Sequence, residues 1–128
     1  MPGDQIFPKG ASTPYAAYSP GMKAGGMVFV SGRCAVDSEG KIVGVGDIAV
    51  QTERAIQNMQ LVLEAAGGGL EDVTMVHIFL TDYANYDAMN KVYDKHFGKT
   101  RPARYCVKCE LVDPEFLIEL AGVAVLGG

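Results

Sequence analysis

Apolar residues recur at helical spacing in two stretches of the chain. Over residues 52–66 they fall at steps of three and four, with charged and amide residues between them, which is typical of an amphipathic helix. The glycine run 67–69 is expected to end that helix. A second helix is predicted over residues 86–97, with Gly98 at its C-terminal cap. Its apolar stripe consists of Tyr86, Met89, Tyr93 and Phe97.

Five further segments have the apolar, β-branched composition of strands. These segments are residues 27–32, 41–43, 73–80, 103–112 and 116–125. A turn at residues 37–40 is expected to join the first two as a hairpin, and Asp113-Pro114 is expected to join the last two. The third segment is apolar on both faces, which favours a strand covered by a layer on each side.

The predicted order is two strands, a helix, a strand, a helix and two strands, or ββαβαββ. This order predicts an α+β domain in which both helices cover one face of a mixed sheet. The other face would expose apolar residues, because strands such as 73–80 and 117–125 are apolar on both sides. Self-association would bury that face.

The length and composition are those of one ordinary domain. The chain has 128 residues, of which 48% are hydrophobic and 20% charged, and no Pro/Gly-rich linker divides it. A single domain is therefore predicted over residues 1–128. Eleven basic residues against fifteen acidic residues give a net charge of -4, which disfavours binding to a nucleic-acid phosphate backbone.

The sequence also bears on the cellular compartment. No apolar run approaches the roughly 18 to 20 residues that cross a bilayer, and the N-terminal residues lack the basic and hydrophobic regions of a signal peptide. A cytoplasmic location without membrane association is therefore expected. Three cysteines are an odd number, which favours reduced thiols over a disulfide framework.

Two charged residues, Arg104 and Glu119, interrupt the last two apolar strands. An ionised side chain among hydrophobic neighbours costs roughly several kcal/mol unless it is paired or contacts a ligand. An arginine and a carboxylate on adjoining strands therefore predict a pocket that binds a small acid and transfers protons beside it.

Side chains alternate along a strand, so Arg104, Cys106 and Lys108 are expected on one face. If the last two strands form a hairpin, Glu119 pairs with Lys108 and shares that face, about 10 to 14 Å from Arg104. This distance would accommodate a three- or four-carbon acid and a water molecule. A shift of one residue in register would instead turn Glu119 to the other face.

Four short motifs stand out along the chain: Pro102-Ala103-Arg104-x-Cys106, the glutamate fifteen residues after that arginine, Val30-Ser31-Gly32 and Tyr18-Ser19. Together they resemble motifs of the Rid (YjgF) family of enamine/imine deaminases. The likeness extends over essentially the whole chain, and residues 103–112 most resemble the RutC branch of 3-aminoacrylate deaminases. The resemblance implies a chorismate-mutase-like fold, a homotrimer whose sheets line a central barrel, sites at the three subunit interfaces, and no cofactor or metal.

The same resemblance implies roles for individual residues. Gly32, Arg33 and Tyr105 are expected to contact substrate. Many relatives have glutamine in place of Arg33 and a small hydroxyl residue in place of Tyr105, so these two residues are expected to affect substrate choice. Arg33 would contact a longer or doubly acidic substrate, or would simply lie exposed. Three catalytic residues are also implied, namely the carboxylate-binding Arg104, the acid/base Glu119 and the site cysteine Cys106. Tyr18 is implied to be an interface tyrosine that contacts substrate.

The expected function is hydrolytic deamination of a small enamine or imine acid. The leading substrate is 3-aminoacrylate, which would yield malonic semialdehyde and ammonia. Two alternatives stay open: a broad 2-imino acid deaminase that clears intermediates of pyridoxal-phosphate enzymes, and a non-catalytic module that binds carboxylates. Some relatives are described as ribonucleases, but the excess of acidic over basic residues in this chain disfavours RNA binding.

Structural roles are the alternative for each site residue. Arg104 and Glu119 could be ion-pair partners at an interface or across a hairpin. Cys106 and Cys109 form a C-x-x-C motif, but residues three apart on a strand point to opposite faces, so a metal site is not expected. Cys34 is expected to be a buried small hydrophobe.

Overall fold

The computed structural model describes residues 3–127 and contains a six-stranded sheet with two helices on one face. The strands are β1 (Asp4–Ile6), β2 (Gly21–Ala24), β3 (Met27–Arg33), β4 (Val73–Leu80), β5 (Ala103–Lys108) and β6 (Ile118–Val125). The helices are α1 (Ile48–Ala65) and α2 (Tyr86–Phe97), and short 3-10 turns at Leu70–Asp72 and Tyr83–Asn85 precede β4 and α2. The predicted α+β class is confirmed, and β2 to β6 with the two helices follow the order ββαβαββ, although β2 takes the place of the predicted strand 41–43 and β1 is additional. Residues 1, 2 and 128 of the predicted domain lie outside the described residues.

The strand order across the sheet is β1-β2-β3-β6-β4-β5. Strands β4 and β5 are parallel because α2 connects them, and a strand–helix–strand crossover returns the chain in its original direction. Strand β6 is apolar on both faces and lies in the centre, whereas the more polar β5 forms an edge. The predicted hairpin of the last two strands is therefore wrong, since β4 separates them.

The first hairpin also differs from the prediction. Strand β3 pairs with β2 through the turn at Gly25, which has a φ of 59°. The predicted turn at residues 37–40 does form, but the segment after it makes only an isolated bridge between Val36 and Ile42. Because β2 and β6 already occupy both edges of β3, the segment 41–43 has no edge to join.

Both helices bury the predicted apolar stripes. Helix α1 begins at Ile48 rather than at residue 52, because the Asp47 side chain caps it by accepting from the amide of Val50 at 3.1 Å. Helix α2 has the predicted bounds, although Tyr86 at its start remains 37% exposed. The predicted α1 residues that are buried are Thr52, Ala55, Ile56, Met59, Val62, Leu63 and Ala66.

Two buried amides of α1 fix the loops beside the sheet. Nε2 of Gln51 donates to the carbonyl of Glu115 at 2.9 Å, and its Oε1 accepts from the amide of Leu117 at 2.8 Å. Nδ2 of Asn58 donates to the carbonyl of Cys34 at 2.8 Å. The chain entering β6 and the chain leaving β3 are thereby both attached to the same helix.

The sheet face opposite the helices is apolar and uncovered in a single chain, as predicted. Phe29 is 42% exposed and Tyr105 is 44% exposed, which is unusual for large apolar groups on a sheet. Met27, Val107 and Val125 contribute further exposed apolar surface on the same strands. Within residues 3–127, neither helix has the length and apolar character needed to cross a membrane.

Candidate active site

A cavity of about 460 Å³ opens where β3 ends and β6 begins. Its wall is formed by these two strand ends, by the segment after β3 and by part of the N-terminal loop, residues 12–18. Four predicted site residues line it: Tyr18, Gly32, Arg33 and Glu119. The three predicted site residues on β5 do not line it.

A β-bulge shapes this cavity at the end of β3. Three steps along β3, residues 30–33, match only two steps along β6, residues 120–122. Such a bulge re-aims the side chains around it. Gly32 lies within the bulge, and a Cβ at this position would lie 2.5 Å from Oε2 of Glu119. The absence of a side chain at Gly32 is what allows the carboxylate to lie against the strand.

Glu119 is oriented by a thiol. Sγ of Cys34 donates to Oε1 of Glu119 at 3.2 Å, and Asn58 holds the main chain of Cys34 against α1. Burial, followed by the nearby Glu119 carboxylate, raises the pKa of the Cys34 thiol. The thiol therefore stays protonated at neutral pH and can act as a donor.

Cys34 was expected to be a buried hydrophobe, and this prediction is wrong. Its side chain is only partly buried and makes a polar contact in the cavity. Cys34 and Glu119 are 85 residues apart in the chain, so no local spacing could have linked them. The weak donor capacity of a thiol was the only signal in the sequence.

Arg33 lies in the cavity rather than fully exposed. Its Nε donates to the carbonyl oxygens of Ser31 at 3.3 Å and Gly32 at 3.1 Å. Burial lowers the pKa of the Arg33 guanidinium, while nearby groups including Tyr18 and Glu119 oppose that change. The arginine that shares a cavity with Glu119 within one chain is therefore Arg33.

Two tyrosines from the N-terminal loop line the outer part of the cavity. The rings of Tyr15 and Tyr18 meet edge to face, with centroids 6.4 Å apart, a favourable aromatic geometry. Tyr18 is 41% exposed and Tyr15 is still more open. Tyr15 was not predicted, because isolated aromatic residues in a loop carry no periodic signal.

Arg104 lies on the helix side of the sheet. Its Nη2 donates to the hydroxyl of Tyr86 at 3.0 Å and to Oδ1 of Asn90 at 2.8 Å. Its guanidinium carbon lies 4.7 Å from the ring centroid of Tyr93, within the range of a cation–π contact. These partners are neutral, and within residues 3–127 Arg104 makes no ion pair.

Arg104 and Glu119 therefore do not share a face, contrary to the prediction. Arg104 is paired with Val76, which is fully buried under the helices. Glu119 is paired with Phe79 rather than with Lys108, and its neighbours along β6 are buried on the helix side. Because side chains alternate along a strand, Glu119 points to the opposite face.

The other predicted residues of β5 divide between the two faces. Cys106 follows Arg104 on the helix side and packs against the core, and burial raises the pKa of its thiol. On the open face, the Tyr105 hydroxyl is hydrogen-bonded to Nδ1 of His77 at 2.7 Å. Among residues 3–127, no group of three or more His, Cys, Asp or Glu side chains is arranged to hold a metal ion.

Comparison with known proteins identifies the family. The family model described as Endoribonuclease L-PSP matches residues 9–126. The chain belongs to this family. This family is also called the Rid family. One similar solved structure is that of the Rid protein YyfA from Yersinia pestis. It is 27% identical, with a TM-score of 0.89 over 96% of this chain and 98% of that one. The predicted Rid family and its fold are thus confirmed.

Two further solved structures are similar to this Rid-family chain. A putative endoribonuclease from Thermotoga maritima is 35% identical, with a TM-score of 0.91 over 98% of each chain. Escherichia coli TdcF, determined with bound serine, is 27% identical, with a TM-score of 0.87 over 95% of this chain and 98% of that one. The match along nearly the full length of both chains supports the fold and the family membership together.

Proposed function

We propose that this Rid-family protein is a hydrolytic deaminase of a small enamine or imine carboxylic acid that uses no cofactor. The observation that carries the proposal is the Glu119 carboxylate, which lies in a cavity and is oriented by a thiol donor. A positioned carboxylate of this kind suits proton transfer to and from a bound substrate. The leading substrate is 3-aminoacrylate, because residues 103–112 resemble the RutC branch.

The reaction needs no redox partner. Transfer of a proton to the α-carbon of 3-aminoacrylate, with loss of one proton from its nitrogen, converts the enamine into an imine. The oxygen of water then bonds to the imine carbon while the C=N π electrons move to nitrogen, which gains a proton. Loss of the C–N bond with formation of C=O releases ammonia and malonic semialdehyde. Water and imine are thus consumed, and aldehyde and ammonia are produced.

Glu119 is proposed to move the protons in this sequence. It takes a proton from the attacking water and returns one to the departing nitrogen, which is general base and then general acid catalysis. The Cys34 thiol bonds only Oε1, so Oε2 remains available on the side of Gly32. Because the imine carbon is already electrophilic, placement of the water contributes much of the catalysis.

The arginine that binds the substrate carboxylate is proposed to come from a neighbouring subunit. Within one chain the sheet separates Arg104 from Glu119, so Arg104 cannot serve the cavity of its own chain. Arg104 lies on the edge strand β5, and its neutral partners leave its charge available for a carboxylate. A neighbouring copy could bring that edge to the cavity.

A homotrimer is proposed to supply this neighbour. The uncovered apolar face, which includes Phe29 and Val125, is the surface that association would bury. In this arrangement Tyr18 and Tyr105 would lie at subunit boundaries. Cys106 would shape the pocket beside Arg104 rather than act as a nucleophile, because its raised thiol pKa disfavours the thiolate.

The rival proposals share the same cavity. TdcF was determined with bound serine, and a similar protein that binds an amino acid fits a broad 2-imino acid deaminase or a non-catalytic carboxylate module as well. The family description names endoribonuclease activity, but the net charge of -4 disfavours RNA binding. Incubation with single-stranded RNA should therefore leave the RNA intact at low salt.

The direct test is ammonia release from enzymatically generated 3-aminoacrylate. The wild type should accelerate release above the uncatalysed rate, and Arg104→Ala should lose most of that acceleration by raising KM. Equal rates in the two proteins would refute the assigned carboxylate clamp. No acceleration by the wild type with any imine would leave the binding module as the better description.

A mixing experiment tests whether the site spans two subunits. Arg104→Ala and Glu119→Gln are each expected to be nearly inactive alone. In a trimer of randomly mixed subunits, about a quarter of the interfaces would join an intact Glu119 to an intact Arg104, so about a quarter of the wild-type activity should return. If both residues serve the same chain, mixing restores nothing.

A further inference from the structure

Arg33 is anchored at one end of its guanidinium and open at the other. Its Nε is bonded to two main-chain carbonyls of its own strand, those of Ser31 and Gly32. A guanidinium carries five N–H donors in a rigid plane, so four donors on the two terminal nitrogens remain. Within residues 3–127 these nitrogens make no hydrogen bond, and Arg33 takes part in no ion pair.

The position of Arg33 makes this openness informative. The residue lines the cavity together with Glu119, and burial lowers the pKa of its guanidinium, which marks a partly desolvated charge. A cation withdrawn from water is costly without a counter-charge. Glu119 offsets part of that cost from beyond ion-pair distance, and a ligand carboxylate on the open nitrogens would offset more of it. A planar guanidinium matches the two oxygens of a carboxylate.

The size of the cavity leaves room for such a ligand. Its volume of about 460 Å³ falls within the range of roughly 300 to 1,000 Å³ that is typical of sites for ligands well above three carbons. A three-carbon acid is small relative to this volume. The cavity, which Arg33 lines, therefore has room for a longer substrate with a second anionic end.

We propose that Arg33 is a specificity-determining residue that binds a second carboxylate, so that the preferred substrates are imines of acidic amino acids, or their enamine tautomers. The inference rests on the proposed deaminase function for its catalytic readout. One carboxylate would meet Arg104 of the neighbouring subunit, the imine carbon would lie at Glu119, and the second carboxylate would bind the open nitrogens of Arg33. Two guanidinium charges would balance the two carboxylates of the substrate.

The catalytic test compares two imines generated in place by amino-acid oxidases. One is the monocarboxylic imine of alanine and the other is the dicarboxylic imine of aspartate. The wild type should prefer the dicarboxylic imine in kcat/KM, and Arg33→Gln should lower the ratio of dicarboxylic to monocarboxylic kcat/KM about tenfold or more, since a charge-assisted contact is lost. An unchanged ratio in Arg33→Gln would overturn the inference.

Arg101→Gln is the matched control. It removes the same charge from an exposed arginine outside the cavity and should leave the ratio at its wild-type value. If Arg101→Gln lowers the ratio as much as Arg33→Gln does, the effect is a general one of net charge and the inference fails. Arg33→Lys, which keeps the charge but not the planar fork, should retain an intermediate ratio.

A binding measurement separates this inference from the proposed function. Succinate and propionate differ by one carboxylate, and calorimetry should find tighter succinate binding to the wild type and a loss of that preference in Arg33→Gln. If no imine is hydrolysed but this preference depends on Arg33, the deaminase proposal fails and the anion site stands. If imines are hydrolysed but succinate and propionate bind alike, the anion site fails and the deaminase proposal stands.

Discussion

Glu119 and Arg104 are charged side chains on strands of the same sheet, but their surroundings differ. Glu119 is enclosed by its own chain: a glycine gives it space, and the Cys34 thiol bonds one oxygen. Arg104 lies on an edge strand and contacts the side chains of Asn90, Tyr86 and Tyr93. One chain therefore orients both groups but brings them to opposite faces of the sheet.

This contrast supports the proposal that the site is divided between two chains, one supplying a Glu119 half and the other an Arg104 half. The Glu119 half has a cavity that Arg104 does not line, whereas within residues 3–127 the Arg104 half has an oriented guanidinium without an acidic partner. In each half, hydrogen bonds within one chain orient the charged group, which would lower the cost of assembly. Completion of the site would then need only a second copy at the correct angle.

The largest expected effect concerns the catalytic half. Glu119→Gln keeps the size of the side chain but removes its ability to exchange protons, so kcat for ammonia release should fall about 10²- to 10⁴-fold. The melting temperature should stay near that of the wild type. Glu115→Gln, a change at an exposed acid in the preceding loop, is the control and should retain activity. A Glu119→Gln enzyme within threefold of wild type would remove Glu119 from the mechanism.

The next effect tests whether the bulge positions that carboxylate. In Gly32→Ala the new Cβ would overlap Oε2 of Glu119, and the carboxylate would have to move. Since a displacement of about 1 Å can cost about 10²-fold, kcat should fall by roughly that factor. Stability should change little, because the displaced atom ends a flexible side chain. Gly26→Ala, where a Cβ makes only an ordinary contact, should behave as wild type; a large loss of stability in Gly32→Ala would contradict this account.

A smaller effect is expected in the arginine half. Asn90→Asp would place a carboxylate about where Oδ1 now lies, 2.8 Å from Nη2 of Arg104, and this new partner would compete with the carboxylate of the substrate. KM should rise about tenfold with a smaller change in kcat. Tyr86→Phe, which removes only a neutral partner, should raise KM less. An unchanged KM in Asn90→Asp would mean that Arg104 does not bind substrate.

The smallest effect is a pH dependence of stability at Cys34. The thiol has an ordinary pKa of 9.0 that folding raises, so above about pH 9 the folded state holds more protons than the unfolded state and the free energy of unfolding falls as pH rises. Between pH 8 and 10 the wild type should lose about 2 to 5 °C more in melting temperature than Cys34→Ala. Folding also raises the pKa of Tyr15 and Tyr93, but these groups are present in both proteins. Parallel melting curves would contradict the assignment.

Local pattern was sufficient for much of this molecule. The three- and four-residue spacing of apolar residues predicted α2 from end to end and the buried stripe of α1, because that spacing reports which side of a helix is covered. The presence of the charged residues Arg104 and Glu119 within apolar strands was also visible in the sequence, and the family could be inferred from the motifs around them. Each of these signals depends on residues that are close together in the chain.

Tertiary structure decided which of these residues meet. The alternation of side chains along a strand does not show that α2 returns the chain so that β5 runs parallel to β4. This crossover places β5 at the edge of the sheet and β6 in the centre. The same alternation could not show that a bulge turns Arg33 and Cys34 toward the cavity that contains Glu119. Strand neighbours and bulges depend on contacts between distant segments, so they are settled only when the whole sheet packs against its helices.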